Sequence, residues 1–303
     1  DVGLRDGLDG LTYVAVEVVG PSGQAEIVRA LVDTGSTHSD LRPALIAGLG
    51  LRPDPEAPAA CFETAAGRQV ESVVYRARLR LMGREVDVRV CPADEEEEET
   101  DDEDRAFGLS AASDDAVMGS EALAALGVWV DCANRRLVEP QEGLPSLAFV
   151  GPGPHAPVDL SNPSEPSRRL TVRALVDSGS TDVDLDPGRL RRLGLESGPA
   201  EGSAHFETAG GVTIEAALYR VAVHALGREA SVLVSPSEAP CADSENSEDA
   251  DDDEDAQMSG SNHDEALLGH DALAALGLLV DCRAGRLLAA PAGGPGPAGA
   301  AAA

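Results

Sequence analysis

Two aspartates lie in nearly the same twelve residues of this chain. Ala30 to Leu41 reads ALVDTGSTHSDL, and Ala174 to Leu185 reads ALVDSGSTDVDL, 144 residues later and identical at nine positions. In each, an apolar pair (Leu31-Val32 or Leu175-Val176) can anchor a strand end in a core and hand over to Asp33 or Asp177. Gly35 and Gly179 permit a tight turn that a Cβ would obstruct. The hydroxyls of Thr34, Ser36, Ser178 and Ser180 can orient the carboxylates and nearby backbone by hydrogen bonds that favour the ionised form. An aspartate held this way can work on water. Two carboxylates about 3 Å apart cannot both ionise easily, so they share a proton and supply an acid and a base in one site.

The repetition continues around these strings. Phe62-Glu63-Thr64-Ala65 returns as Phe206-Glu207-Thr208-Ala209, and Gly83-Arg84-Glu85 as Gly227-Arg228-Glu229, both at an offset of 144. Gly119 to Gly127 returns as Gly269 to Gly277, and Val130-Asp131-Cys132 as Val280-Asp281-Cys282, now at 150. The six extra residues must fall in an acidic segment that is longer in the second copy. A segment that tolerates a length change is a surface loop.

Each copy reads mainly as strands. Leu11 to Val19 and Ala25 to Val32 flank a turn at Pro21-Ser22-Gly23, and the second run leads into Asp33. Strands at Cys61 to Thr64 and Gln69 to Leu81 flank a hairpin turn at Ala65-Ala66-Gly67, whose counterpart is Ala209-Gly210-Gly211. Short helices are expected at Pro43 to Gly48, Pro187 to Leu193, Ser120 to Leu126 and His270 to Leu276; proline suits the first turn of the first two. The expected fold class is therefore all-β with short helices. Its parts are an N-terminal lobe over 1–138, a Pro- and Gly-rich linker over 139–156, a C-terminal lobe over 157–290 and a low-complexity, disordered tail over 291–303. Lobes of that size each bury roughly 68% of their unfolded surface, enough for separate cores.

Composition narrows the function. The net charge is −31, but 94–104 holds 10 acids and 243–255 holds 9, which leaves 35 acids against 23 basic residues, all of them Arg. A moderately acidic body does not suit nucleic acid, which needs basic patches. No apolar run approaches the ~18 residues a membrane span requires. The five cysteines are odd in number and lack CxxC spacing, which argues against a zinc site or a disulfide framework and for a reducing, cytoplasmic setting. No basic-then-apolar leader opens the sequence, which begins at Asp1. The six histidines share no position between the copies, so neither a metal site nor histidine catalysis is expected. Asp131 and Asp281 suit turn hydrogen bonding or ion pairs with Arg136 and Arg286.

The ordered set is Asp-[Thr/Ser]-Gly-Ser, then a glycine-turned hairpin, then an apolar-apolar-Gly string (Val117-Met118-Gly119, Leu267-Leu268-Gly269) opening a short helix. Found twice, it resembles the retropepsin-like aspartic proteases of the pepsin/retropepsin superfamily, over roughly residues 10–138 and 157–288. The resemblance implies two β-barrel lobes in a pseudo-twofold, bilobal arrangement. It implies an Asp33/Asp177 dyad at their interface that activates water for hydrolysis of peptide bonds, with no cofactor. It also implies that Thr34 and Ser178 brace the active-site loops, and that the hairpins at Ala65–Gly67 and Ala209–Gly211 act as flaps over a peptide or unfolded protein. Tyr75 and Tyr219 lie eight residues past the turns and suit packing rather than a flap role.

Other readings weigh less. Asp-x-Gly-[Ser/Thr] also opens the phosphate hairpin of actin-like ATPases, but there a strand should follow, and RPALIAGLGL and DPGRLRRLGL read as helices. A protease-shaped module that binds peptides without cutting them is a second reading, although both Asp strings are intact. Pairing of lobes between chains is a third, and the short tether favours a monomer with an internal pseudo-dimer. The acidic loops read first as solvated, self-repelling segments. Placed beside the cleft, they would favour basic peptides within about 8 Å and raise the dyad's pKa values. An EF-hand is not expected in 249–260, which lacks the Gly and Glu that such a loop needs.

Overall fold

The computed structural model describes residues 10–63, 69–93, 116–196, 200–207, 213–237 and 266–291. The first half carries strands β1 (Tyr13–Val19), β2 (Ala25–Val32) and β3 (Ser39–Leu41), helix α1 (Pro43–Gly48), and strands β4 (Ala60–Glu63), β5 (Gln69–Ser72), β6 (Tyr75–Leu81), β7 (Arg84–Pro92) and β8 (Ala116–Met118). Helix α2 (Ser120–Leu126) and strands β9 (Trp129–Asp131) and β10 (Arg136–Val138) complete it. After β11 (Ser146–Ala148), the second half runs β12 (His155–Asn162), β13 (Glu165–Val176), β14 (Val183–Leu185), α3 (Pro187–Leu193), β15 (Gly202–Glu207), β16 (Thr213–Ala225), β17 (Arg228–Pro236) and β18 (Ala266–Leu268). It ends with α4 (His270–Ala275), β19 (Leu278–Asp281) and β20 (Arg286–Ala289). The chain is all-β with short helices.

Strands β1-β2-β8-β3-β7-β6 close a barrel. The second half places β12-β13-β18-β14-β17-β16-β15 in one sheet, and an added β12–β16 pairing brings its first strand back onto its sixth. Alternation explains why these segments are strands. In β3 and β8 the outer residues are buried and the middle one only half-buried, and β14 and β18 repeat that pattern. The core is one continuous aliphatic cluster running through both halves, with Val14, Val32, Leu123, Leu137, Ala174, Leu193 and Leu273 wholly enclosed. Burying such a side chain contributes roughly 1.5–3 kcal/mol.

One difference between the halves lies in the strands after Gln69 and Thr213. The expected strand over Gln69 to Leu81 is broken at Val73-Val74, where Val74 turns inward onto Ala60 and Cys91. The corresponding β16 runs unbroken for 13 residues. A further sheet, β10-β9-β19-β20-β11, joins the halves, with Val280 opposite Val130 and Leu279 opposite Asp131. Its strand β11 lies inside the segment expected to be a linker, and β12 begins there too, at His155. By pairing with β20, β11 turns what reads as a tether into an edge of the joining sheet.

Two sequence repeats have structural roles. Arg84 Nη1 donates to the Leu126 and Gly127 carbonyls at 2.5 and 2.7 Å, and Arg228 Nη1 to those of Leu276 and Gly277 at 2.9 and 2.5 Å. Each arginine thus satisfies the open C-terminal carbonyls of α2 or α4. Asp131 accepts from Asn134 and from Arg136 Nε, and Asp281 from the Ala284 amide and Arg286 Nε; both arginine contacts are 3.0 Å.

Candidate active site

Both aspartates stand where a strand ends beside an apolar-apolar-Gly string. The Asp33 amide donates to the Met118 carbonyl and the Asp177 amide to that of Leu268, each at 3.1 Å. The turn after each aspartate is held from below. The Ser120 amide donates to the Ser36 carbonyl at 2.8 Å, and the His270 amide to that of Ser180 at 2.7 Å. A Cβ on Gly119 would lie 2.0 Å from the His38 carbonyl oxygen, and one on Gly269 would lie 1.9 Å from that of Asp182. Those two glycines let the turn sit directly on the string.

Asp33 and Asp177 face each other within hydrogen-bonding reach, both half-buried. On the Asp33 side, Oδ1 accepts from the Gly35 and Ser36 amides at 2.8 and 3.1 Å, and Oδ2 from the Ser36 hydroxyl at 2.6 Å. These donors fix the orientation of the carboxyl. On the other side, Asp177 Oδ1 accepts from the Gly179 amide at 2.8 Å. Burial first, and then the charge of Asp33, hold the Asp177 carboxyl well above the usual aspartate range. Two acids this close favour holding one proton between them.

Gly35 and Gly179 have a reason that a single loop does not reveal. A Cβ on Gly35 would fall 2.6 Å from Asp177 Cγ, and one on Gly179 would fall 2.5 Å from Asp33 Cγ. What excludes a side chain at each position is the opposing carboxyl. The same interlocking continues one residue back. The Thr34 amide donates to Ser178 Oγ at 3.1 Å and the Ser178 amide to Thr34 Oγ1 at 3.0 Å. Thr34 Oγ1 donates to the Val176 carbonyl at 2.8 Å and Ser178 Oγ to the Val32 carbonyl at 2.7 Å. Both side chains are fully buried, so each of these bonds meets a need that water cannot.

Of the residues singled out in the sequence, the structure brings together Asp33, Thr34, Gly35 and Ser36 with Asp177, Ser178, Gly179 and Ser180. Ala65, Ala66, Gly67, Ala209, Gly210 and Gly211 lie outside the described residues, as do the acidic segments 94–104 and 243–255. The strands leading to those turns are described: β4 pairs with β5 up to Glu63 opposite Gln69, and β15 with β16 up to Glu207 opposite Thr213. One contact between the halves was not foreseen. Buried His270 meets Thr12 Oγ1 through Nε2 at 3.2 Å, on the opposite side of the joint from its own barrel. Sequence comparison of the copies hid it, because Ser120 occupies the equivalent place. Among the described residues no group of three or more His, Cys, Asp or Glu could hold a metal ion.

Residues 14–121 match the family model described as "Aspartyl protease". The fold is similar to that of the aspartic proteinase from Irpex lacteus, with a TM-score of 0.52, 13% identity, and coverage of 94% of this chain and 95% of that one. Residues 14–121 thus carry a likeness to the aspartyl proteases, and nearly the whole chain has the fold of an aspartic proteinase. No curated protein matches the sequence.

Proposed function

We propose that this chain is an aspartic endopeptidase whose working centre is the Asp33/Asp177 pair, formed within one chain by two copies of one unit. The observation that carries this reading is the interlocking of the two turns. Each carboxyl occupies the space that a Cβ on the opposite glycine would fill, which brings two acids into hydrogen-bonding reach.

The pair shares one proton, which gives it an acid and a base. The ionised member takes a proton from a water lying between the carboxyls. The protonated member gives its proton to the carbonyl oxygen of the scissile peptide as the water oxygen bonds to its carbon. The product is a neutral tetrahedral diol. Its collapse returns a hydroxyl proton to one carboxyl, the other carboxyl protonates the departing nitrogen, and the C–N bond breaks. The pair ends with one shared proton, as it began. The chain's own atoms form no covalent bond to the substrate, and the reading takes peptides or unfolded protein as substrate.

The test uses a peptide blocked at both ends and cleavage in ¹⁸O-labelled water. The reading expects internal cleavage with one labelled oxygen in the new carboxyl group. Trimming that requires a free terminus would remove the endopeptidase assignment, and a covalent peptidyl adduct trapped on the chain would remove the direct attack by water.

A further inference from the structure

Strand register places another pair of acids on the face that carries the dyad. In the first barrel Leu31 on β2 lies beside Val117 on β8, which lies opposite Asp40 on β3. In the second, Leu175 on β13 lies beside Leu267 on β18, which lies opposite Asp184 on β14. Side chains alternate along a strand, so Leu31 and Asp33 share a face, as do Leu175 and Asp177. Paired residues point to the same side, which puts Asp40 and Asp184 on those faces too, while the neighbouring Leu41 and Leu185 are buried in the core. Two strand spacings across and two residues along put each acid about 11–12 Å from the aspartate of its own barrel.

Asp184 is the more informative of the two. It is half-buried, and Ser235 Oγ donates to its Oδ1, which fixes the carboxyl and leaves Oδ2 without a hydrogen bond among the described residues. Among the described residues it has no ion pair with an arginine. Burial first, and then the charge of its neighbour Asp182, keep its carboxyl above the usual range. A half-enclosed carboxylate with no cation is poorly compensated. On the catalytic face a bound cation would compensate it.

We propose that Asp184, with Asp40 as its counterpart in the first barrel, selects a basic side chain near the scissile bond of the peptide. An extended substrate advances about 3.3 Å per residue, so a residue two places from the cut lies about 7 Å from it. A long arginine or lysine spans the remaining distance, and a short side chain does not. This inference rests on the endopeptidase reading above and deepens it.

The experiment uses a peptide series in which one Arg is walked across the positions flanking the cut, with Gln in the same place as reference. The ratio of kcat/KM for Arg over Gln is measured for the parent, Asp184→Asn, Asp40→Asn and Asp184→Lys. One position on each side of the cut should favour Arg by about tenfold or more, the worth of a charge-assisted hydrogen bond. Asp184→Asn should bring the ratio near one on its side, and Asp184→Lys should turn the preference toward Glu in the same place. Binding of the same peptides to Asp33→Asn gives a second readout. If the parent cuts nothing but Asp33→Asn still prefers Arg through Asp184, recognition stands and the hydrolase reading falls. Equal rates and equal binding for Arg and Gln at every position, or an Arg preference that survives both asparagine variants, would overturn the inference.

Discussion

The amide of Ser178 donates to Thr34 Oγ1 at 3.0 Å while the amide of Thr34 donates to Ser178 Oγ at 3.1 Å, so each half of the chain holds the other's backbone through a hydroxyl. The two residues lie 144 apart and are wholly buried. This exchange fixes the distance between the carboxyls one residue upstream, because neither turn can shift without leaving an amide and a carbonyl unpaired.

Removing one hydroxyl should therefore cost stability and registration together. Thr34→Val keeps the shape but leaves the Val176 carbonyl and the Ser178 amide without their partner, at about 1–3 kcal/mol for each unsatisfied group. Denaturant unfolding should show the loss for Thr34→Val and a much smaller one for Thr34→Ser. Equal stability of the valine variant and the parent would contradict the role given to these bonds.

Gly35→Ala and Gly179→Ala should separate the carboxyls without unfolding either barrel. The new methyl would need space now held by the opposing carboxyl, at 2.6 Å in one case and 2.5 Å in the other. A displacement on the order of 1 Å costs roughly 100-fold in rate. The expected result is a fall in kcat of that size with near-native circular dichroism. Full activity in either variant would mean that the carboxyls do not meet as described.

The raised Asp177 carboxyl has a thermodynamic signature. The folded chain keeps a proton there that the unfolded chain gives up at lower pH, so the contribution is full below the ordinary aspartate pKa and is lost as pH rises through the raised folded value. Asp54, Asp87 and Asp159, held low chiefly by hydrogen bonds from Arg76, Arg78 and Thr171, act in the opposite direction and lose their contribution as pH falls. Asp177→Asn should cancel only the first trend. Unfolding free energies across the acidic and neutral range should decline less steeply with rising pH in the variant than in the parent. Parallel curves would contradict the raised carboxyl.

Arg84 and Arg228 should matter more than exposed ion pairs do. Arg228→Ala removes the donors to two carbonyls at the end of α4, the helix that supports the turn after Asp177. A loss of about 1–2 kcal/mol is expected, read as a lower melting temperature. Arg169→Ala, which breaks an exposed pair with Asp159, should cost at most about 1 kcal/mol. The reverse order would contradict the capping role.

What could be read from the sequence was local. An apolar strand ending in Asp-[Thr/Ser]-Gly-Ser, a proline opening a helix and an apolar-apolar-Gly string each act within a few residues, and β2, α1, α2 and α3 fall where those signals put them. What could not be read was set by partners distant in sequence. β11 looks like linker because its residues are unremarkable until β20 lies beside them. Arg84 and Arg228 stand out in sequence as a repeat, yet their carbonyl partners lie 42 to 49 residues away. The glycine after each aspartate looks like a turn residue, and only the opposing carboxyl shows why nothing larger fits. Asp184 carries no motif, and its position becomes meaningful through the register that aligns it with Leu267 and Leu175.

In the proposed enzyme one chain makes one site from Asp33 and Asp177. The direct measurement incubates the parent, Asp33→Asn, Asp177→Asn and an equal mixture of the two variants with an unfolded protein substrate from about pH 3 to about pH 8. Cutting by the parent, a loss of at least about 100-fold in each variant and no recovery on mixing are expected. Substantial cutting by either single variant, or by their mixture, would contradict the single site.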